Sequence, residues 1–297
     1  MKVSVVVTAY NAEQTIAKCL ASILANEYDD YELIVVDDCS RDGTPDIIKK
    51  IGDQRLHYFR NSTNRKVSYS RNAGTKKAGG EIILFLDSDA YVEKDWIARH
   101  VEAHEKTGAA IIGGGIQGVS RTVFGKADAF CTWYASVPFS GSYYIRKLHV
   151  ASNNMSVKKT ALDRIGLFDE TLTNGGEDTE FCFRARRLGE KIYFQSDIVV
   201  YHFDRDNCRD YFRHQKSMGT YMVQIRSRLK MDYSFLIPTA YYPAFLYILP
   251  LACLLTLFIL KQWLRFRPGI IFYTPLILAG KIVHTWEIKN SLKPGNE

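Results

Sequence analysis

Hydrophobic and polar positions in the first hundred residues repeat with two alternating periods. Residues 2–8 form a continuous, mostly β-branched run, which is typical of a strand buried on both faces. Apolar side chains at helical spacing over residues 16–24 follow, behind an Asn11/Gln14 pair that resembles a capping box. The alternation predicts a parallel sheet with helices on its faces. Further strands are predicted over residues 31–36, 56–60 and 81–86, and further helices from Thr44 and over residues 68–78.

The middle of the chain mixes strand and helix patterns. Short apolar runs of strand length are separated there by segments with helical periodicity. We expect strands over residues 109–112 and 149–157, helices over residues 159–165 and 177–188, and a closing pair of strands over residues 191–194 and 198–202.

The last ninety residues differ in composition from the rest. Residues 205–232 hold seven Lys or Arg against three Asp, which predicts a basic amphipathic helical connector. Residues 233–260 contain no charged side chain, and these 28 residues exceed the roughly 20 that cross a hydrocarbon core as a helix. We therefore expect a folded domain over residues 1–204 and an apolar, membrane-associated helical region over residues 233–297. A transmembrane helix, a hairpin and a re-entrant element all fit this run, and a buried pair of soluble helices is the alternative.

The composition is that of a globular protein, with 46% hydrophobic and 24% charged side chains among 297 residues. The 39 basic residues outnumber the 32 acidic ones, which indicates a polyanionic partner such as a nucleotide, a nucleic acid or an anionic membrane. Six scattered cysteines without a C-x-x-C pair argue against a zinc site and a disulfide framework. The first residues do not resemble a secretory signal, so we expect the N-terminal domain in the cytoplasm.

Two pairs of carboxylates follow predicted strands, at the edge where open α/β sheets bind ligands. Asp87 and Asp89 are close enough in sequence to converge on one divalent ion, whose other ligands are water and substrate phosphates. Such an ion would stabilise a diphosphate as a leaving group. One carboxylate of Asp37 and Asp38 can accept a hydrogen bond from a nucleotide base while the other holds its loop. Turn or helix capping is the alternative role for both pairs.

Five motifs occur in an order that resembles family 2 glycosyltransferases of the GT-A fold. The resemblance covers roughly residues 1–205. It implies a Rossmann-like mixed sheet flanked by helices, a nucleotide-sugar donor, and Mg²⁺ or Mn²⁺ as cofactor. The motifs are VSVVVTAYN at Val3–Asn11, VVDDCSRDGT at Val35–Thr44, RNAG at Arg71–Gly74, DSD at Asp87–Asp89 and GED at Gly176–Asp178.

The same resemblance assigns roles to individual side chains. Asp89 would be the principal ligand of the metal ion, with Asp87 and His202 beside it. A neutral imidazole can complete such a coordination sphere, and a structural role is the alternative for His202. The donor nucleotide would be bound by Thr8, Tyr10, Asp38, Lys66, Arg71, Asp87 and Ser88.

Asp178 is the candidate general base. The resemblance implies that its carboxylate takes the proton from the acceptor hydroxyl, on the side of the sugar opposite the departing diphosphate. An acidic residue in a first helical turn is also favoured by the helix dipole, which gives Asp178 an alternative, structural role. Glu177 would hold the acceptor or the loop, and Trp133 would stack on an acceptor sugar or pack in the core.

Two further sequence features concern neighbouring classes of enzyme. Residues 113–118 read GGGIQG and match the dinucleotide-binding pattern, but they follow a fifth strand and lack an acidic residue about twenty positions on. We therefore treat the match as coincidental.

Near residues 213–218 the Gln-x-x-Arg-Trp motif of processive family members is absent, which favours one sugar per encounter.

Together these features predict an inverting, metal-dependent glycosyltransferase with a UDP-sugar as the favoured donor. Its acceptor would be a lipid-linked or surface-glycan hydroxyl, as in polysaccharide biosynthesis. Its catalytic domain would lie at the cytoplasmic face of a membrane, and no nucleic acid would be involved. The alternatives are a polyprenyl-phosphate sugar transferase of the dolichyl-phosphate mannose synthase type, a nucleotidyltransferase that releases pyrophosphate, and a non-catalytic sugar-nucleotide sensor.

Overall fold

The computed structural model describes residues 1–146, 149–173, 175–229 and 245–291. These residues form two compact units. The first unit comprises residues 1–117, 138–173 and 177–203, and the second comprises the described parts of 118–137, 174–176 and 204–297. The division into domains over 1–204, 205–232 and 233–297 stays a prediction, and residues 230–244 of it lie outside the described residues.

The first unit contains a sheet of nine strands among the described residues. Its strands are β1 (Val3–Ala9), β2 (Tyr31–Asp37), β3 (Leu56–Arg60), β4 (Ile82–Asp87), β5 (Ala90–Val92), β6 (Ile111–Gly118), β7 (Tyr143–Tyr144), β8 (Met155–Lys158) and β9 (Ile192–His202). They lie in the order β3-β2-β1-β4-β8-β6-β9-β5, and β7 pairs with β9.

The sheet is mixed in strand direction. Strands β3, β2, β1 and β4 run parallel to one another, which confirms the parallel arrangement expected from the first hundred residues. Strand β8 is antiparallel to both β4 and β6, and β5 and β7 are antiparallel to β9. The mixed α/β sheet implied by the sequence is therefore confirmed.

Helices flank the sheet and also build the second unit. The first unit contains α1 (Ile16–Leu24), α2 (Thr44–Lys49), α3 (Lys66–Lys77), α4 (Trp96–Thr107), α6 (Lys159–Ile165) and α7 (Glu177–Arg187). The second unit contains α5 (Val123–Thr132), α8 (Cys208–Leu229), α9 (Phe245–Trp263) and α10 (Thr274–Ser291), with a 3₁₀ helix over Pro268–Tyr273.

Both faces of the sheet are covered by apolar side chains. On β1, Val3, Val5 and Val7 contribute to one buried cluster, which also contains residues of α1 and α4. Val6 contributes to a second cluster, together with Phe85 of β4 and residues of α6 and α7. Successive strand residues point to opposite faces, so an unbroken apolar run fits a strand that is buried on both sides.

Three local predictions are wrong. Helix α1 begins at Ile16, without a side-chain cap at Thr15, and Asn11 accepts from Arg41 N at 2.8 Å instead of forming a capping box. The predicted pair of strands over 191–194 and 198–202 is one continuous strand, β9. The alternation of buried and partly exposed positions continues through the polar residues between the two apolar runs, with Ser196 buried and Gln195 and Asp197 partly exposed. Residues 149–157 form a 3₁₀ turn followed by β8, since the strand pairing begins only at Met155.

The GGGIQG segment lies inside β6, whereas the sequence pattern placed it after a strand that ends at residue 112. A Cβ atom at Gly114 would stand 2.2 Å from Asn154 Nδ2 and 2.3 Å from Ile198 O. At Gly113 it would stand 2.2 Å from Val150. The glycines therefore allow close packing of the chain against neighbouring elements, and this strand is not a phosphate-binding turn.

The second unit has an apolar core of its own. Tyr211 of α8 and Cys131 of α5 pack in one cluster with Ile259 and Trp263 of α9 and Ile277 of α10. No helix among the described residues is both long and apolar enough to cross a bilayer. The transmembrane helix suggested by the uncharged run therefore finds no support. Residues 233–244 of that run lie outside the described residues, and the remainder belongs to α9.

Candidate active site

The carboxyl ends of β1, β2 and β4 meet at one edge of the sheet. Thr8 lies opposite Val36 on one side and Asp87 on the other, and Ala9 lies opposite Asp37. The residues that follow these strands are those expected to bind the donor. The register of the parallel strands thus brings the predicted nucleotide and metal motifs to a common edge.

Asp89 and His202 lie side by side at the far end of this edge. Strand β9 ends at His202, which lies opposite Ala90 of β5. His202 Nε2 is 3.3 Å from Asp89 Oδ1, and Phe203 N donates to Asp89 O at 2.9 Å. The imidazole is buried, whereas the Asp89 carboxylate is partly exposed and accessible to a ligand. Two residues assigned to a metal ion from the sequence are therefore adjacent.

This pair fits a divalent cation that binds together with a diphosphate. No group of three or more His, Cys, Asp or Glu residues in the described parts of the chain could hold a metal ion without other ligands. Mg²⁺ commonly takes only one or two carboxylates from the protein and completes its shell with water and substrate phosphates. Carboxylate and water ligands also suit Mn²⁺. Asp89 supplies the carboxylate of this donor set, and the His202 imidazole lies beside it.

Arg71 links the DSD motif to the GED motif. From α3, its side chain donates from Nη2 to Asp87 Oδ1 and from Nη1 to Glu177 Oε1, both at 2.6 Å. Only 3% of the Arg71 side chain is exposed. Burial opposes the positive charge, but the two carboxylates outweigh burial and raise the pKa of Arg71. Contact of Arg71 with the donor nucleotide, which the resemblance implies, stays a prediction; in the structure its guanidinium contacts these two carboxylates.

Glu177 and Asp178 have different surroundings in the first turn of α7. Glu177 is buried, and its Oε2 atom has no hydrogen-bond partner among the described residues. Burial raises the pKa of Glu177, and the neighbouring Asp178 adds to the rise while Arg71 opposes it. Asp178 is half-buried, and its Oδ1 accepts from Thr179 N at 2.6 Å. Asp178 is therefore the more accessible of the two carboxylates for an acceptor hydroxyl.

Asp38 fixes the loop that leads into α3. Its Oδ1 accepts from Asn61 Nδ2 and Arg65 N, both at 2.8 Å, and its Oδ2 accepts from Lys66 N at 2.7 Å. A carboxylate oxygen can accept two hydrogen bonds, so Oδ2 retains capacity for a base N–H. The sequence did not single out Asn61, because an asparagine after a short strand has no distinctive motif.

Asp37, the last residue of β2, also accepts hydrogen bonds from the protein at this edge of the sheet. It is fully buried, and it accepts from Ser40 N at 2.9 Å and from the Tyr58 hydroxyl at 3.0 Å. Burial and the neighbouring Asp37 carboxylate raise the pKa of Tyr58 to about 12. Both carboxylates of the pair therefore bind the protein, whereas the sequence assigned only one of them to the loop.

The other predicted site residues lie in different settings. Thr8 is buried at the end of β1, Tyr10 just beyond it is exposed, and Ser88 is buried between the two DSD carboxylates in sequence. Trp133 belongs to the second unit, where its Nε1 donates to Asp204 Oδ1 at 3.0 Å. Its contact with an acceptor sugar stays a prediction.

Comparison with known families agrees with the motifs. A family described as glycosyl transferase family 2 matches residues 4–158, and a related one described as glycosyl transferase family group 2 matches residues 82–283. The chain is 28% identical over 235 residues to the dolichyl N-acetyl-alpha-D-glucosaminyl phosphate 3-beta-D-2,3-diacetamido-2,3-dideoxy-beta-D-glucuronosyltransferase of Methanococcus voltae, which covers 73% of this chain and 71% of that protein. It spans 66–71% of the length of three such relatives.

Solved structures show the same fold. Staphylococcus aureus TarS 1-349 in complex with UDP-GlcNAc matches 98% of this chain and 91% of that chain, with a TM-score of 0.59 and 20% sequence identity. The mannosyltransferase PcManGT from Pyrobaculum calidifontis, in complex with GDP-Man and Mn²⁺, matches 97% of this chain and 86% of that chain, with a TM-score of 0.65 and 18% identity. At these identities the likeness concerns the fold alone.

Proposed function

Since the chain belongs to glycosyl transferase family 2, we propose that it transfers a sugar from a nucleotide-diphosphate donor to a hydroxyl group in one inverting displacement. The observation that carries this proposal is the buried Arg71 guanidinium, which binds Asp87 and Glu177 at 2.6 Å each. It joins the motif assigned to the donor with the motif assigned to the acceptor. The motif assigned to the donor and the motif assigned to the acceptor therefore form one site without a rearrangement of the chain.

Asp178 performs the acid–base part of the reaction. Its carboxylate accepts the proton of the acceptor hydroxyl while that oxygen forms a bond to the anomeric carbon. The bond from this carbon to the diphosphate breaks at the same time, and the nucleoside diphosphate leaves with the electron pair. Attack from the side opposite the leaving group inverts the configuration. Arg71 keeps Glu177 in place beside the base and is a positioning residue in this scheme.

Asp89 and His202 would hold a divalent ion, which would supply positive charge to offset the departing diphosphate. The adjacency of these two side chains supports the assignment. The Mn²⁺ named with GDP-Man in the complex of PcManGT supports a divalent ion in a chain of the same fold. Asp87 contributes indirectly, because its carboxylate is paired with Arg71.

A UDP-sugar is the favoured donor, with Asp38 Oδ2 as the acceptor for the imide N–H of the base. The remaining hydrogen-bonding capacity of this oxygen supports the assignment. We propose a lipid-linked or surface-glycan hydroxyl as acceptor, presented at the cytoplasmic face of a membrane. The dolichyl phosphate in the name of the Methanococcus voltae relative supports the lipid, and the six free cysteines support a reducing compartment.

The experiment is transfer by Asp178→Asn over a panel of nucleotide sugars and lipid-linked acceptors. We expect a loss of about 10²- to 10⁴-fold in turnover with little change in donor binding, because only proton transfer is removed. Asp163→Asn, at an exposed position of α6, is the matched control. Near-normal transfer by a folded Asp178→Asn variant would remove the base assignment. If it occurred only with polyprenyl phosphate, the acceptor would be a phosphate that needs no base.

A further inference from the structure

Exposed apolar side chains are concentrated in the C-terminal part of the second unit. Of the 15 large hydrophobic residues that are exposed in the described parts of the chain, eight lie between residues 249 and 286. Exposed apolar side chains that are grouped in one segment indicate an interaction surface, whereas single exposed residues are ordinary. The eight are Leu249, Leu254, Leu257, Phe258, Leu264, Ile271, Phe272 and Trp286.

Helix α9 has two apolar faces, and only one of them is covered. Ile259 and Trp263 are buried in the core of the second unit. Leu254, Leu257 and Phe258, which are three and four residues apart and therefore share the opposite side of the helix, are exposed. Leu257 exposes 61% of its surface. A helix that is apolar on both sides needs a second apolar environment for the side that its own protein leaves open.

The exposed apolar surface continues past the end of α9. Leu264 follows the helix directly, and the 3₁₀ helix over Pro268–Tyr273 exposes Ile271 and Phe272. Phe272 is 86% exposed, the highest fraction among these side chains. We call Leu254, Leu257, Phe258, Leu264, Ile271 and Phe272 the α9 surface.

The charges along this segment have one sign. Residues 246–286 contain no Asp or Glu, and exposed Lys261, Arg265 and Arg267 lie in the last turn of α9 and just after it. These cations interrupt and border the α9 surface in sequence. Apolar side chains next to exposed cations fit the boundary between acyl chains and anionic headgroups.

We propose that the α9 surface inserts into the headgroup region of an anionic bilayer, so that the second unit lies on the membrane without crossing it. The buried side of α9 belongs to the protein core, so this helix cannot also be surrounded by lipid. The proposal rests on the proposed function, since a lipid-linked acceptor is presented at such a surface. It replaces the span expected from the sequence by an interfacial contact.

Flotation of the full chain with vesicles tests the proposal. We expect binding to vesicles of phosphatidylcholine mixed with phosphatidylglycerol, weaker binding to phosphatidylcholine alone, and a loss of at least tenfold in Leu257→Glu/Phe272→Glu. Leu188→Glu, at an exposed apolar position of the first unit, is the matched control and should bind as the parent does. Circular dichroism and the melting temperature establish that each variant is folded.

A second pair of variants measures the electrostatic contribution to vesicle binding. Lys261→Gln and Arg265→Gln should each weaken binding to the anionic vesicles by about fivefold at low salt, and should leave binding to neutral vesicles unchanged. The parent chain should accordingly lose affinity for anionic vesicles as the salt concentration rises.

Three outcomes would overturn the proposal. The first is that the parent chain does not float with vesicles, and the second is that Leu257→Glu/Phe272→Glu floats as well as the parent does. The third is that the parent is a dimer which this variant converts to a monomer, because a second copy of the chain would then cover the α9 surface. Donor turnover with a water-soluble acceptor separates this proposal from the proposed function. Turnover without vesicle binding refutes only the membrane contact, and vesicle binding without turnover of any nucleotide sugar refutes only the enzyme.

Discussion

Arg71 is the residue on which the electrostatics of the site depend most. Its guanidinium pairs with both Asp87 and Glu177 in a place where an unpaired carboxylate would be costly. The sequence identified Arg71 as a site residue through its RNAG motif, but it could not show the partners. Glu177 lies 106 positions away along the chain, and only the fold brings it within hydrogen-bonding distance.

Removing the Arg71 charge should destabilise the first unit strongly. We expect Arg71→Met to lower the free energy of unfolding by about 3–5 kcal/mol, because two carboxylates lose their shared partner. Arg71→Lys should lose less, since it keeps the charge but not the two-pronged geometry. Urea unfolding measures both variants.

The control for this prediction is an exposed ion pair on the same unit. Arg164 contacts Glu190 at 2.7 Å with a largely exposed side chain, so Arg164→Met should cost less than about 1 kcal/mol. Equal losses for Arg71→Met and Arg164→Met would show that the buried pairing contributes no more than a surface contact.

His202 provides a test of the metal assignment at a single residue. We expect His202→Asn to raise the Mn²⁺ concentration needed for half-maximal donor turnover by about 10- to 100-fold, because the imidazole beside Asp89 is lost. His57→Asn, at an exposed position of β3, should leave that concentration unchanged. An identical metal requirement in His202→Asn and the parent would assign His202 a structural role.

At the level of elements, α4 is held to the sheet by a polar network rather than by apolar contacts alone. His100 Nδ1 and His104 Nε2 both lie within 2.9 Å of Ser156 Oγ on β8. His100 Nε2 is 3.0 Å from Asn154 Oδ1, and His104 Nδ1 is 3.0 Å from Ala109 O. The sequence pattern does not predict α4, and it does not identify the partners of the two buried histidines on this helix.

The two histidines make stability depend on pH. Burial lowers the pKa of His100 to about 3 and the pKa of His104 to about 4, so both are neutral in the folded chain at pH 5. In the unfolded chain they bind protons below about pH 6.5. Their stabilisation is therefore complete above pH 6.5 and is lost as the pH falls, by about 2 kcal/mol per histidine at pH 5.

We expect His100→Asn to reduce the loss of unfolding free energy between pH 7 and pH 5 by about 2 kcal/mol. Urea unfolding at both values measures this difference. The comparison isolates His100, because the other buried histidines are the same in the two proteins. A loss as large in His100→Asn as in the parent would show that His100 is already protonated in the folded chain at pH 5.

For the whole molecule, the sequence predicted the features that depend on local pattern. The unbroken run in β1 indicated a strand covered on both faces, and the residues after β1, β2 and β4 marked the ligand edge through their motifs alone. Periodicity failed where tertiary packing decides. The alternation in β9 looked interrupted because polar residues lie at its middle, and only the fold shows which neighbouring elements the glycines of β6 pack against.

The C-terminal region shows what a hydrophobic run leaves open about the surroundings of a helix. The run of 28 uncharged residues is long enough to cross a bilayer by length alone. Only the fold shows that Ile259 and Trp263 lie in a protein core while Leu257 is exposed. Sequence hydrophobicity records neither which side of a helix is covered nor by what.

The central claim is that one site formed by these distant motifs transfers a sugar in a single displacement. Proton NMR of the first product formed tests it most directly. The coupling constant of the proton on the anomeric carbon reports the configuration of the new linkage before any equilibration. The product of an α-linked nucleotide sugar should carry a β linkage. A product that retains the configuration of its donor would contradict the displacement and with it the role of Asp178.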